Sequence, residues 1–384
     1  MGKQYVLGAG FLLALFHGQV DAQLSALDRW AKAPASSPPI ASGRNFDLAF
    51  GGDQFPVLAF IDGVNPTLNL KKWDGSAWTN LSGLTFSGQR PLRVQMASNW
   101  AGDIVVGLLM SALNGDHSIE VYQLRGAQLR PLGPAFNVRA TGGYAVAMDA
   151  RGPVVASWQG SGFVTVRRWS GVGWGQLGGN VNASPVTFVD RRSPALAVTG
   201  DGKLVVAYSA GVGNSFGIVA SVWDGAGWTA LGSGVAPPAT AVNLGGENSG
   251  APVVASSPFS RVSRWNGVVW QSIGQPCVPT IRHRVFGDSS LTVRGNEPLV
   301  VCGIHINAIA VIGRRTLVAR TWSRVFGWKP LGLGTINGDT DLADGNYLAY
   351  VVRSDPRGRP WVAWTAQSGI FVSTLVPPSL SSGP

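Results

Sequence analysis

The residues able to do chemistry are few and scattered. Beyond the N-terminal segment the histidines are His117, His283 and His305. None stands in a nucleophile-elbow or metal-ligand pattern, so neither Ser/His/Asp catalysis nor a mononuclear metal centre is indicated. His305, within Gly303-Ile304-His305-Ile306-Asn307, reads as a packed or hydrogen-bonded strand residue. Asp47, Asp53, Asp149 and Asp201 fall where strands are expected to end. Such carboxylates can gather at one rim, as paired groups for glycoside hydrolysis must, or simply make turns, since Asp bonds its own backbone two residues on. The loop Asn337-Gly338-Asp339-Thr340-Asp341-Leu342-Ala343-Asp344-Gly345 places oxygen ligands at alternating positions. It lacks the Gly at its sixth position and the Glu at its twelfth that a calcium loop uses, and reads as a polar connection. No cofactor motif is present, and none is expected.

Two residue types stand out. Arginine clusters recur at Arg167-Arg168, Arg191-Arg192, Arg282 with Arg284, Arg314-Arg315, and Arg353 with Arg357 and Arg359. They supply either a solvated cationic surface or a site for anions. Tryptophan recurs with fixed spacing: Trp73 and Trp78, Trp169 and Trp174, Trp223 and Trp228, Trp265 and Trp270. An indole offers an apolar face and one N–H donor, which suits stacking on a sugar ring. The same properties fill the space between packed sheets. These eight are the candidate ligand-binding residues.

The elements that must position them follow from the same spacing. Each pair brackets a four-residue loop, as in Trp73-Asp74-Gly75-Ser76-Ala77-Trp78 and Trp223-Asp224-Gly225-Ala226-Gly227-Trp228. Asp, Asn or Ser after the first Trp bonds the backbone of the loop, and the following Gly accepts positive φ, so the two rings sit across a hairpin. A Leu or Ile and a small residue come next: Leu81-Ser82, Leu177-Gly178, Leu231-Gly232 and Ile273-Gly274. Two weaker copies, Leu124 to Leu129 and Trp322 to Trp328, raise the hairpins to six. A second signature, a turn and then a β-branched apolar run, occurs seven times, from Pro56-Val57-Leu58-Ala59-Phe60 to Pro360-Trp361-Val362-Ala363-Trp364, about 51 residues apart. Such runs suit strands covered on both faces, with Pro at the strand start. Four strands per period of this length is the size of a propeller blade.

The sequence therefore predicts an all-β fold, a seven-bladed β-propeller of four-stranded blades. Seven apolar runs against six hairpins leave one outer strand missing. The segment Leu24 to Ala33, with Trp30, is expected to supply it by pairing beside Phe371 to Leu375, so that both chain ends close the ring.

Composition sets the remaining bounds. Of 384 residues 45% are hydrophobic and 13% charged, with Gly 52 and Pro 24, which serves a folded core and many turns and argues against disorder. The formal charge of +10 attracts anions generally, with no specific nucleic-acid partner expected. At the N-terminus, Lys3, the apolar run Val6 to Phe16 and the small residues around Ala22 read as a signal peptide over residues 1–22. An 11-residue run rises only about 16 Å, short of a bilayer core of roughly 30 Å, and no later segment is long enough to span. The expected layout is a propeller over 23–376 and a flexible tail over 377–384, in a secreted or periplasmic monomer. In that oxidising setting Cys277 and Cys302 are either bridged, tying two neighbouring strands, or remain two buried thiols.

The W-D-G-x-x-W hairpin, preceded by D-x-x-G-x-P-V-V-A, resembles the repeats of secreted bacterial propellers loosely related to the kelch and galactose-oxidase central-domain superfamily. It also resembles Trp-rich propeller lectins, which bind sugars in sites repeated around the ring. The likeness spans about residues 45 to 375. It implies the fold; the kelch relatives' oxidase activity is not carried over, because the histidines and tyrosine of a copper site are not evident. The functional expectation is a non-enzymatic binding module for glycan or another anionic polymer. The alternatives are a scaffold for an envelope protein, and a polymer hydrolase using rim Asp residues.

Overall fold

The computed structural model describes residues 28–33, 38–43, 45–62, 66–138, 143–159, 161–185, 187–188, 194–212, 215–232, 235, 241–257, 261–278, 283–306, 315–338, 342 and 349–377. Among them there is no helix. A short strand, β1 (Arg29–Lys32), comes first. Blade 1 is β2 (Asn45–Phe50), β3 (Pro56–Ile61), β4 (Leu68–Trp73) and β5 (Trp78–Asn80). Blade 2 is β6 (Gln89–Ser98), β7 (Ile104–Ala112), β8 (His117–Arg125) and β9 (Gln128–Pro131), with β10 (Phe136–Val138) also pairing β8. Blade 3 is β11 (Tyr144–Asp149), β12 (Gly152–Gln159), β13 (Phe163–Trp169) and β14 (Trp174–Gln176). In blade 4 the inner edge is divided between β15 (Thr187–Phe188) and β16 (Ala195–Val198), followed by β17 (Leu204–Val212), β18 (Ser215–Trp223) and β19 (Trp228–Ala230). Blade 5 is β20 (Ala241–Gly246), β21 (Pro252–Ser257), β22 (Arg261–Trp265) and β23 (Trp270–Gly274). Blade 6 is β24 (His283–Arg294), β25 (Glu297–Ile306), β26 (Arg315–Ser323) and β27 (Gly327–Pro330). Blade 7 combines β28 (Tyr350–Ser354), β29 (Pro360–Ala366) and β30 (Gly369–Val376) with β1.

All strand pairs are antiparallel, and the first strands of successive blades touch in cyclic order until β28 returns to β2. The apolar runs become the second strand of each blade, and in β3, β21 and β29 every residue is buried. Their alternation explains this. Val57, Ala59 and Ile61 face the core shared with blade 2, while Leu58 and Phe60 face the core shared with blade 7. Seven such apolar clusters fill the seven gaps between neighbouring blades. Each blade is therefore stabilised by burial on both faces and has no core of its own.

Closure occurs where the count of strands required it. β1 pairs β30 with Arg29 opposite Val376 and Trp30 opposite Leu375. The pairing covers Arg29–Lys32, and residues 24–27 lie outside the described residues. Cys277, just after β23, and Cys302, in β25, are joined as a disulfide with Cα atoms 6.4 Å apart. It fastens blade 5 to blade 6 rather than joining neighbouring strands of one sheet, and both half-cystines lie in the core between those blades.

Candidate functional site

The tryptophan hairpins fold as their residues dictate. Asp74 Oδ1 accepts from the N–H groups of Ser76 and Ala77, each at 2.8 Å, and Gly75 stands at φ 104°. Those N–H groups hold the exposed Asp74 carboxyl below its ordinary pKa. Asp224 repeats the arrangement, and Asn266 accepts from Val268 and Val269. The rings are consequently brought together four times in nearly one geometry. The pairs Trp73–Trp78, Trp169–Trp174, Trp223–Trp228 and Trp265–Trp270 have centroids 5.4–5.7 Å apart and planes tilted by 51–55°. Trp73 is buried and the other seven are half-buried. Trp322 faces Trp328 in the same register of blade 6, and Leu124 faces Leu129 in blade 2.

The second Trp of each pair also reaches back to the preceding blade. Trp78 Nε1 donates to Ala33 O, Trp174 to Leu132 O, Trp228 to Leu177 O and Trp270 to Leu231 O, at 2.6–2.9 Å. Trp328 donates to Ile273 O and Trp30 to Leu331 O. The acceptor is the Leu or Ile of the previous repeat, except at Ala33, which directly follows β1. Trp30 and Trp328 thus belong to the same girdle as the eight candidates. The glycine after Leu132, Leu177 and Leu231 makes room for the first ring: a Cβ on Gly178 would lie 2.7 Å from Trp223 Cζ3, one on Gly133 2.8 Å from Trp169 Cζ3, and one on Gly232 3.1 Å from Trp265 Cζ3. Where the incoming pair is Leu124 and Leu129, the position holds Ser82.

A second set of contacts joins the blades near the axis. The first strands of adjacent blades form no ladder with each other, so their N–H groups need side-chain acceptors. Asp47 Oδ2 accepts from Met96 N at 2.9 Å, Gln95 Oε1 from Val146 N at 3.2 Å, and Ser290 Oγ from Val352 N at 3.0 Å. Asn243 donates to Ser289 O. Sequence reasoning missed this set, although its polar residues interrupt otherwise apolar first strands. Asp47 corrects an expectation: it sits within β2 rather than in a strand-end turn, buried, and ion-pairs with Arg353 of blade 7 at 2.8 Å.

The other expected carboxylates lie at the first turn of their blades. Asp53 pairs with Lys72, Asp149 with Arg168 and Asp201 with Lys203. Burial raises the Asp201 pKa, but the hydrogen bonds from Lys203 and Thr199 outweigh it and leave a net lowering. Glu247, which sequence reasoning passed over, is fully buried against Arg264 and Ser249. One of its carboxylate oxygens has no partner, and desolvation raises its pKa. No group of three or more His, Cys, Asp or Glu is gathered to hold a metal among the described residues. His305 is a half-buried strand residue, and Asn337 is spent on the backbone of β26. Arg191, Arg192, Arg282, Arg314 and most of the 339–345 loop lie outside the described residues.

This architecture places the chain among the seven-bladed β-propellers. No protein-family model and no curated protein matches it. Among solved structures it is similar to a Lactobacillus plantarum protein, with TM-score 0.56 and 14% identity over 85% of this chain and 92% of that one. It is similar also to YCF48 bound to D1 peptide, with TM-score 0.52 and 13% identity over 92% and 99%. The SapL1 lectin in complex with alpha methyl fucoside matches at TM-score 0.48 and 12% identity over 77% and 97%.

Proposed function

We propose that the chain is an exported, non-catalytic binding module that recognises glycan or another anionic surface polymer through sites repeated around its ring. The observation that carries this reading is the recurrence of the tryptophan pairs in one tilted geometry on four blades, with seven of the eight rings half-exposed. Trp78, Trp174, Trp228 and Trp270 spend their N–H groups on the neighbouring blade, so their contribution to a ligand is ring surface, as sugar stacking requires. Four weak equivalent sites engaged together raise avidity without new contacts. The formal charge of +10 draws anionic polymers in.

A second reading, a scaffold for one envelope protein, would use one face of the ring rather than equivalent sites. The hydrolase reading would need one rim carboxyl to act as an acid, and Asp53, Asp149 and Asp201 are each held in an ion pair within their own blade. A glycan array probed at low and at physiological salt tests the proposal. Selective binding that survives salt supports stacking sites, whereas binding that fades uniformly reports net charge alone.

A further inference from the structure

Each blade is an antiparallel meander, so its first and third turns lie at one rim, and its second turn and its exit lie at the other. At the first rim Trp100, Val172, Val268, Val269, Val325 and Phe326 stand 55–93% exposed. In the second turns Leu113 is the one large apolar residue that is exposed among the described residues, with Val278 and Leu333 on blade exits. Apolar residues scattered singly over a surface need no explanation, but six on four hairpin tips of the first rim do.

Charge sorts with these tips. In blades 1 and 4 the third turn carries Asp74 or Asp224 and no large apolar residue. In blades 3, 5 and 6 Ser170, Asn266 or Ser323 takes that position, and Val172, Val268-Val269 or Val325-Phe326 follows. Around the apolar tips the carboxylates Asp149, Glu247 and Glu297 are matched by Arg168, Arg264 and Arg294 of their own blades. Arg151 in blade 3 and Arg324 with Lys329 in blade 6 add positive charge beside Val172, Val325 and Phe326, whereas Trp100 shares its turn with Asp103; Lys329 Nζ lies 6.0 Å from the centroid of the Phe326 ring. The chain also meets the ring on this rim, since Arg29 opens β1 opposite Val376 at the end of β30.

We propose that this rim seats on an anionic lipid bilayer, its Val and Phe tips entering the boundary between headgroups and acyl chains while the neighbouring cations meet the headgroups. Apolar tips flanked by Arg and Lys are what interfacial binding uses. Val172 and Val268-Val269 lie in the loops that the Trp pairs of blades 3 and 5 bracket, so glycan binding and vesicle binding are scored separately on the same variants.

The test is co-sedimentation of the purified full chain with vesicles of phosphatidylcholine, alone or mixed with phosphatidylglycerol. The wild type sediments with the mixed vesicles. Val268→Ser/Val269→Ser/Val325→Ser/Phe326→Ser lowers partitioning roughly tenfold, and Leu113→Ser leaves it unchanged. As a second measurement, an environment-sensitive fluorophore on Val325→Cys brightens with the mixed vesicles and one on Leu113→Cys does not. Absence of wild-type binding, equal binding by the rim variant, or brightening at both positions overturns the proposal. So does a purified protein partner held by these tips without any vesicle binding.

Discussion

At the residue scale, one tryptophan in each hairpin serves two neighbours. Trp228 packs at a tilt against Trp223 in its own blade and donates to Leu177 O in the preceding blade. Trp228→Phe keeps most of the ring but removes the donor and leaves a carbonyl unpaired, so a loss of about 1–2 kcal/mol is expected in denaturant unfolding. A loss within error would mean that the hydrogen bond is immaterial. Glu247 makes a different prediction. Its desolvated carboxyl, faced by Arg264, Ser249 and Arg324, has a folded pKa above the ordinary value. The native state therefore holds that proton more tightly than the unfolded chain does. This residue's stabilising contribution is complete below its unfolded pKa and is lost as pH rises through the folded one. Acidifying from neutral toward about pH 4 should accordingly raise the melting temperature of the wild type relative to Glu247→Gln. The opposite trend would show that the ion pair with Arg264 outweighs desolvation.

At the element scale, the glycine after Leu132, Leu177 and Leu231 is fitted to the incoming ring. Gly178 has φ 63° and no room for a Cβ beside Trp223, whereas Ser82 meets a blade that carries leucines. Gly178→Ala should destabilise by about 1–3 kcal/mol and Ser82→Gly by much less, as measured by urea midpoint. Equal effects would refute the fit. Much of this level was legible in the sequence. The turn chemistry of Trp-Asp-Gly, the apolar runs and the missing outer strand are local or periodic signals, and each led to the strand it implied. The partners were not legible. Trp174 finds its acceptor 42 residues upstream and Trp328 finds its own 55 upstream, distances set by how blades stack and not by any local pattern. Asp47 was misplaced for the same reason: its acceptor role toward Met96 belongs to the seam between two first strands.

At the scale of the whole molecule, the ring is held by three concentric devices. Polar side chains join first strands near the axis, apolar clusters fill the gaps, and tryptophans latch the outer edge. β1 completes the seventh blade, so the first and last described strands are paired in one sheet. Such a rigid circle presents repeated surfaces at fixed spacing, which is the physical basis for reading it as a multivalent binder. The fold alone leaves the ligand open, because propellers host unrelated activities. The central claim is thus that binding surfaces repeat with the tryptophan pairs. Stoichiometry tests it most directly, by native mass spectrometry of the purified chain with a glycan selected from an array. The account expects several equivalents per chain, with one lost when Trp169→Leu removes the first ring of a pair while Trp174 keeps its latch to Leu132. A single equivalent per chain, unaffected by Trp169→Leu, would contradict it.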